Sequence, residues 1–196
     1  MRWKIHASQR LYDGHFKLDK YELTHEKYNG GTTPVLHREL VKRNDAVAVL
    51  PYDPVTDEVV LIEQFRIGAL GGSQPWLKEI VAGLVDEGES SQAVAYRESD
   101  EEIGCRPSEL IRITGFYPSP GGLSEWVDLY IGKVAVSDVK TNGGLEHEGE
   151  DIKVFKRPAH DVLTMIEKGE IKSAIAIIAI QWLAANREQI RKQWLG

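Results

Sequence analysis

The chain has 196 residues, 42% hydrophobic and 28% charged, which excludes collagen-like, disordered and disulfide-scaffold classes and suits one globular domain with room for a small extra module. Thirty acidic against 24 basic residues give a net charge of −6, which argues against nucleic acid as a partner because phosphate neutralisation needs a basic excess. The single cysteine, Cys105, permits neither an intrachain disulfide nor a multi-cysteine metal site.

Residues 1–43 read as a β-rich module. Apolar and polar residues alternate along 11–31, and Asn29-Gly30 is a hairpin signal. The opening MRWKIHASQR has no signal-peptide core. The most apolar stretch, 174–185, is too short to span a bilayer and carries Gln181, so the expected compartment is the cytoplasm, with no membrane partner. A second unit is expected over 44–196. It begins with two β-branched runs joined by a Pro/Asp turn, DAVAVLPYDPVTDEVVLIEQFR, which predict a hairpin. Further strands are expected at 77–82 and 111–117, in VDLYIGKVAV and in DIKVFKRP. Helices are expected at 90–103, closed by Gly104, at 158–168, opened by Pro158 and closed by Gly169, and at 173–194. Strands interleaved with three helices predict a mixed α/β or α+β domain without a regular βαβ repeat.

The predicted helix at 90–103 carries the most informative pattern. Glu98 and Glu102 are spaced i,i+4, and Glu98 and Glu101 i,i+3, so all three carboxylates lie on one side. Like charges at these spacings cost about 0.2–0.5 kcal/mol per pair. A solvated acidic face is the ordinary explanation of such a run. A hard divalent cation, which takes oxygen ligands and keeps waters that can touch phosphate, is the other. Arg97 stands i,i+4 from Glu101 and is expected to pair with it, leaving Glu98 and Glu102 for metal.

Gly83, Glu89, Arg97, Glu98, Glu101, Glu102 and Gly104 together resemble the Nudix box, G-x5-E-x7-R-E-U-x-E-E-x-G-U, where U is bulky and apolar. Ser99 and Cys105 depart from it at the U positions. The resemblance implies an α+β Nudix fold, a mixed β-sheet sandwiched between α-helices, with 1–43 as an N-terminal dimerisation module and 44–196 as the hydrolase domain. It also implies hydrolysis of a nucleoside diphosphate linked to another group. Glu98, Glu102 and the Ala82 carbonyl are then the implied ligands of Mg2+, with Mn2+ as a substitute. Glu101 lies beside them, and Glu89 and Arg97 order the loop and helix.

The segment SPGGLSE, 119–125, places Pro120 about fifteen positions past the box, a spacing similar to that of the ADP-ribose pyrophosphatase branch. On composition it is an irregular loop whose backbone can approach a ligand, or an ordinary turn. The resemblance implies substrate contacts from Pro120, Gly121 and Glu125, the last at the terminal ribose. The acidic stretch 146–151 reads alone as a solvated loop. Within the branch, Glu148 corresponds to the general base and Glu150 to a further metal contact. Arg66 corresponds to a diphosphate-binding arginine, its planar fork suiting phosphate oxygens, against the alternative of a surface ion pair. Arg38 and Glu39 correspond to residues that reach the adenine end of the neighbouring subunit's site, which implies a homodimer with shared active sites. His15 stands where relatives place an aromatic residue, and Trp76, Trp126 and Trp182 read as core or interface. The implied reaction converts ADP-ribose to AMP and ribose 5-phosphate. The alternatives are a GDP-mannose-type nucleotide-sugar diphosphatase and a catalytically inactive nucleotide sensor, the latter disfavoured by the intact Glu98 and Glu102.

Overall fold

The computed structural model describes residues 1–196, apart from the side chain of Glu148. It divides into two compact units, Met1–Asp45 with Tyr117–Trp126, and Ala46–Phe116 with Val127–Gly196.

The first unit is built on a three-stranded antiparallel sheet, β1 (Trp3–Asp13), β2 (Lys17–His25) and β3 (Leu36–Lys42), in that spatial order. Asn29-Gly30 lies in the reversal between β2 and β3. Every residue of β1 is exposed, including Trp3 at 72%. Asp19 on β2 is buried against Arg10, whose hydrogen bond holds its carboxyl below the usual range. The segment 117–126 runs along β3. Val41 N–H donates to the Gly122 carbonyl at 2.8 Å and Ser124 N–H to the Val41 carbonyl at 3.0 Å. Trp126 packs edge-on to Tyr117 with ring centroids 4.8 Å apart.

The second unit is a mixed sheet with helices on both faces. Its strands are β4 (Ala46–Asp53), β5 (Glu58–Phe65), β6 (Trp76–Glu79), β7 (Val81–Leu84), β8 (Glu109–Phe116), β9 (Val127–Lys133), β10 (Asn142–Gly143) and β11 (Ile152–Pro158). The spatial order is β10-β11-β5-β4-β9-β8, with β6 on β5 and β7 on β4. Only β4 and β9 run parallel among these pairs. Every residue of β4 is buried, which is why it reads as a continuous apolar run and not as an alternating one. Ala46, Ala48, Leu50 and Tyr52 join the core under α2 (Asp161–Glu167) and α3 (Ala174–Leu195). Val47 and Val49 join the core under α1 (Ser91–Ile103), with Val94, Ala95 and Ile103. Among the described residues no helix is long and apolar enough to cross a membrane.

Three local expectations change. The hairpin of β4 and β5 holds only beside its turn, Tyr52↔Val59 and Asp53↔Glu58. The expected strand at 77–82 is two strands that fill the gap above it. β6 pairs with β5, the chain turns at buried Ile80, and β7 pairs with β4. The helix expected from Pro158 begins at Asp161, because Pro158 still closes β11 opposite Glu58.

Candidate active site

Helix α1 supplies most of the site. Ser90 caps its start, its hydroxyl accepting from Ala93 N–H at 3.2 Å. Left-handed Gly104 ends it. Ser99 and Cys105, the two departures from bulky apolar residues, are both buried. The Ser99 hydroxyl donates to the Ala95 carbonyl at 2.7 Å, so burial leaves its donor satisfied.

The carboxylates of α1 face β7. Glu102 is only 2% exposed and accepts from Ala82 N–H at 3.1 Å. Burial raises its carboxyl well above the ordinary range, and the nearby Glu98 and Glu150 charges push the same way, against the opposing pull of Ala82 N–H and Arg66. Burial likewise raises Glu98, with Arg97 opposing and Glu101 and Glu150 reinforcing. Gly83 is where β7 yields to Glu98, because a Cβ there would overlap the Glu98 carboxylate. Gly83→Ala is therefore expected to lower kcat by ~10²-fold, the scale for a misplacement of about 1 Å in an active site, with far-UV circular dichroism unchanged. A wild-type kcat in this variant would mean that the seat of Glu98 is irrelevant to turnover.

Arg97 is the hub of the cluster. It donates to Glu98 at 2.7 Å, Glu101 at 3.1 Å, Glu89 at 3.2 Å and the Leu84 carbonyl at 3.4 Å. The expectation that it would pair with Glu101 and leave Glu98 free is thus corrected. One guanidinium holds both carboxylates and ties the helix to the loop before it. Its hydrogen bond also lowers the Glu89 carboxyl.

Arg66, just past β5, donates its Nε–H to a Glu79 carboxylate oxygen at 2.9 Å, and its Nη2 pairs with the same oxygen at 2.8 Å. It also lies close enough for its charge to act on Glu102. Glu150 accepts from Leu145 N–H at 3.2 Å and raises both Glu98 and Glu102. The backbone of Glu148 closes the short 3₁₀ turn Glu146–Glu148. Its side chain, the expected general base, lies outside the described residues. The second unit therefore gathers Ala82, Arg66, Arg97, Glu98, Glu101, Glu102 and Glu150.

Arg38, Glu39, Pro120, Gly121 and Glu125 belong to the first unit. Arg38 and Glu39 are exposed neighbours on β3, and Arg38 donates to the His37 carbonyl at 2.8 Å. Pro120 and Gly121 are exposed. Glu125 is not a surface carboxylate. It is 7% exposed and pairs with Arg43 at 3.2 Å, and burial raises its carboxyl. Sequence reasoning missed Arg43 and Glu79, because neither partner lies at a local spacing that marks it.

Among the described residues, no group of three or more His, Cys, Asp or Glu side chains stands ready in metal-binding geometry. Arg97 holds Glu98 and Leu145 N–H holds Glu150. The donor set nonetheless fits a hard divalent cation. It consists of oxygens alone, Glu98 has a seat that only glycine leaves open, and the Glu150 charge bears on both Glu98 and Glu102.

The NUDIX domain pattern matches residues 42–175. ADP-ribose pyrophosphatase of Escherichia coli strain K12 is 40% identical over 192 residues, 97% of this chain and 92% of the relative. GDP-mannose pyrophosphatase of Yersinia pestis strain Pestoides F is 34% identical over 169 residues, 85% of this chain and 84% of the relative. A solved structure of an ADP compounds hydrolase matches with a TM-score of 0.73 at 22% identity, over 98% of this chain and 96% of that one, a likeness of fold. With the domain pattern spanning more than half of the chain and the box carboxylates gathered on one helix face, the chain belongs to the NUDIX family.

Proposed function

We propose that this protein hydrolyses the diphosphate bond of ADP-ribose, giving AMP and ribose 5-phosphate. The observation that carries this reading is the carboxylate face of α1, partly buried Glu98 and buried Glu102 against Gly83 and Ala82, in a chain 40% identical along 97% of its length to a curated ADP-ribose pyrophosphatase. Glu98, Glu102, Glu150 and the Ala82 carbonyl would hold Mg2+, for which Mn2+ would substitute. When bound, the cation neutralises diphosphate charge and lowers the pKa of water. Glu148 takes the proton of the attacking water. Water oxygen bonds to one phosphorus, the bridging P–O bond breaks, and its electron pair leaves on the other phosphate. Arg66 leaves Glu79 to pair with the diphosphate, while Arg97 and Glu101 keep the helix carboxylates in place. Pro120, Gly121 and Glu125 contact the ribose end.

Incubation of the pure protein with ADP-ribose and Mg2+ is expected to yield AMP and ribose 5-phosphate in equal amounts, and EDTA is expected to abolish turnover. Persistence of turnover in EDTA contradicts the metal reading. A GDP-mannose-type activity is the second reading, favoured by the 34% identical relative.

The fully exposed β1, with Trp3 at its start, suits a second copy of the chain, and the proposed assembly is a two-fold homodimer in which Arg38 serves the partner's nucleotide. Arg38→Ala and Glu98→Gln subunits are each expected to be nearly inactive. Random co-refolding of equal amounts makes about half of the dimers mixed, with one intact site each, so about a quarter of wild-type activity should return. No recovery in preparations shown by mass to contain heterodimers refutes the role of Arg38 in trans.

A further inference from the structure

The last turn of α1 meets the segment that leads into the acidic loop. β10 pairs with β11 through Asn142↔Lys153 and Gly143↔Ile152. A Cβ on Gly143 would overlap the carbonyl carbon and oxygen of Glu102. Gly143 does not have a positive φ, so close approach, and not its own backbone conformation, excludes a side chain there. Gly144 is constrained in another way. Its φ is +90°, and a Cβ would stand 2.8 Å from the Cβ of Glu150. Its N–H donates to the Glu101 carbonyl at 3.1 Å, and Lys140 N–H donates to the Ile103 carbonyl at 3.0 Å.

A helix leaves its last carbonyls without intrahelical partners. Here two of them, at Glu101 and Ile103, are taken by a segment only a few residues from Glu150. Helix and loop are thereby locked together at Glu102 on one side and Glu150 on the other. The Glu102 backbone lies against Gly143 and the Glu150 Cβ against Gly144, so this pair of glycines sets the separation of the two carboxylates that would share a cation.

We propose that Gly143 and Gly144 form a positioning element that sets the spacing between the helix-borne carboxylates, Glu98 and Glu102, and the loop-borne Glu150, and through that spacing sets the affinity for the divalent cation. Neither glycine touches the reacting atoms. The inference rests on the reading that these carboxylates hold a cation, and its test separates the two.

The wild-type protein and its Gly143→Ala variant are titrated with Mn2+ and followed by electron paramagnetic resonance. The variant is expected to bind Mn2+ about 10- to 100-fold more weakly, the scale for losing a residue that orients metal ligands. kcat should fall with it and KM for ADP-ribose should change little. A purely structural glycine would lower Tm without moving Mn2+ affinity, and that result overturns the proposal. A second measurement needs no variant. In the wild type, saturating Mg2+ should slow hydrogen exchange of the Gly144 amide, because cation binding clamps both ends of the element. Unchanged exchange at Gly144 overturns the proposal even where Gly143→Ala does not fold. A wild type that binds no Mn2+ overturns the cation reading and this proposal together, whereas wild-type binding matched by the variant overturns this proposal alone.

Discussion

Glu102→Gln is expected to lose at least ~10²-fold in kcat while its Tm stays level or rises. The rate expectation follows from position. Residues that only orient metal ligands already change activity about 10- to 100-fold on mutation, and Glu102 is proposed as a ligand itself. The stability expectation follows from burial. Glu102 is 2% exposed, next to Glu98 and Glu150, and its ionised form is disfavoured by desolvation before any like charge acts. Glutamine keeps the size of the side chain and an oxygen for Ala82 N–H, and it removes the charge. A gain in Tm joined to a loss of turnover is the signature of a group kept for function at the expense of the fold. Steady-state kinetics across a Mg2+ titration, paired with thermal unfolding, check both halves. Undiminished turnover at limiting Mg2+ contradicts the ligand role, and a marked fall in Tm contradicts the account of burial.

Glu148→Gln is expected to lower kcat by ~10²–10⁴-fold with KM little changed, the range for losing a general base. Glutamine cannot accept the water's proton, so binding survives while the chemical step fails. Glu150→Gln serves as its counterpart. Glu150 accepts from Leu145 N–H and acts electrostatically on Glu98 and Glu102, so its loss should raise the Mg2+ concentration needed for half-maximal rate. A larger kcat loss in Glu150→Gln than in Glu148→Gln, measured at saturating Mg2+, reverses the two roles.

Much of this site was readable from local spacing. The i,i+3 and i,i+4 carboxylates of α1 share one face by helical periodicity alone, and Ser90 and Gly104 bracket the helix by cap chemistry. The buried strands β4 and β5 were equally plain, as β-branched runs on both sides of a Pro/Asp turn. What escaped depends on distant partners. Ile80 continues an apolar pattern, and nothing local says that the chain there leaves β5 for β4. Pro158 suits the first turn of a helix, yet its carbonyl side completes a ladder with β5 that is set 100 residues earlier in the chain. Arg97 had one partner at helical spacing, Glu101. Its bond to adjacent Glu98 and its reach to Glu89 needed the folded loop. The burial of Glu125 against Arg43 likewise follows from 117–126 running along β3, a long-range pairing without a sequence signature. Gly83 stood in the motif as a letter, and only the packing of Glu98 on it explains why no side chain is admitted.

The proposal that the substrate is ADP-ribose is tested most directly by competition. The pure protein with saturating Mg2+ is given ADP-ribose and GDP-mannose at equal concentrations in one vessel, and the two product sets are quantified while little of either is consumed, so that their ratio is the ratio of kcat/KM values. ADP-ribose is predicted to be consumed with the higher kcat/KM, yielding AMP and ribose 5-phosphate. Preferential release of GMP and mannose 1-phosphate would contradict the account and assign the site to nucleotide sugars.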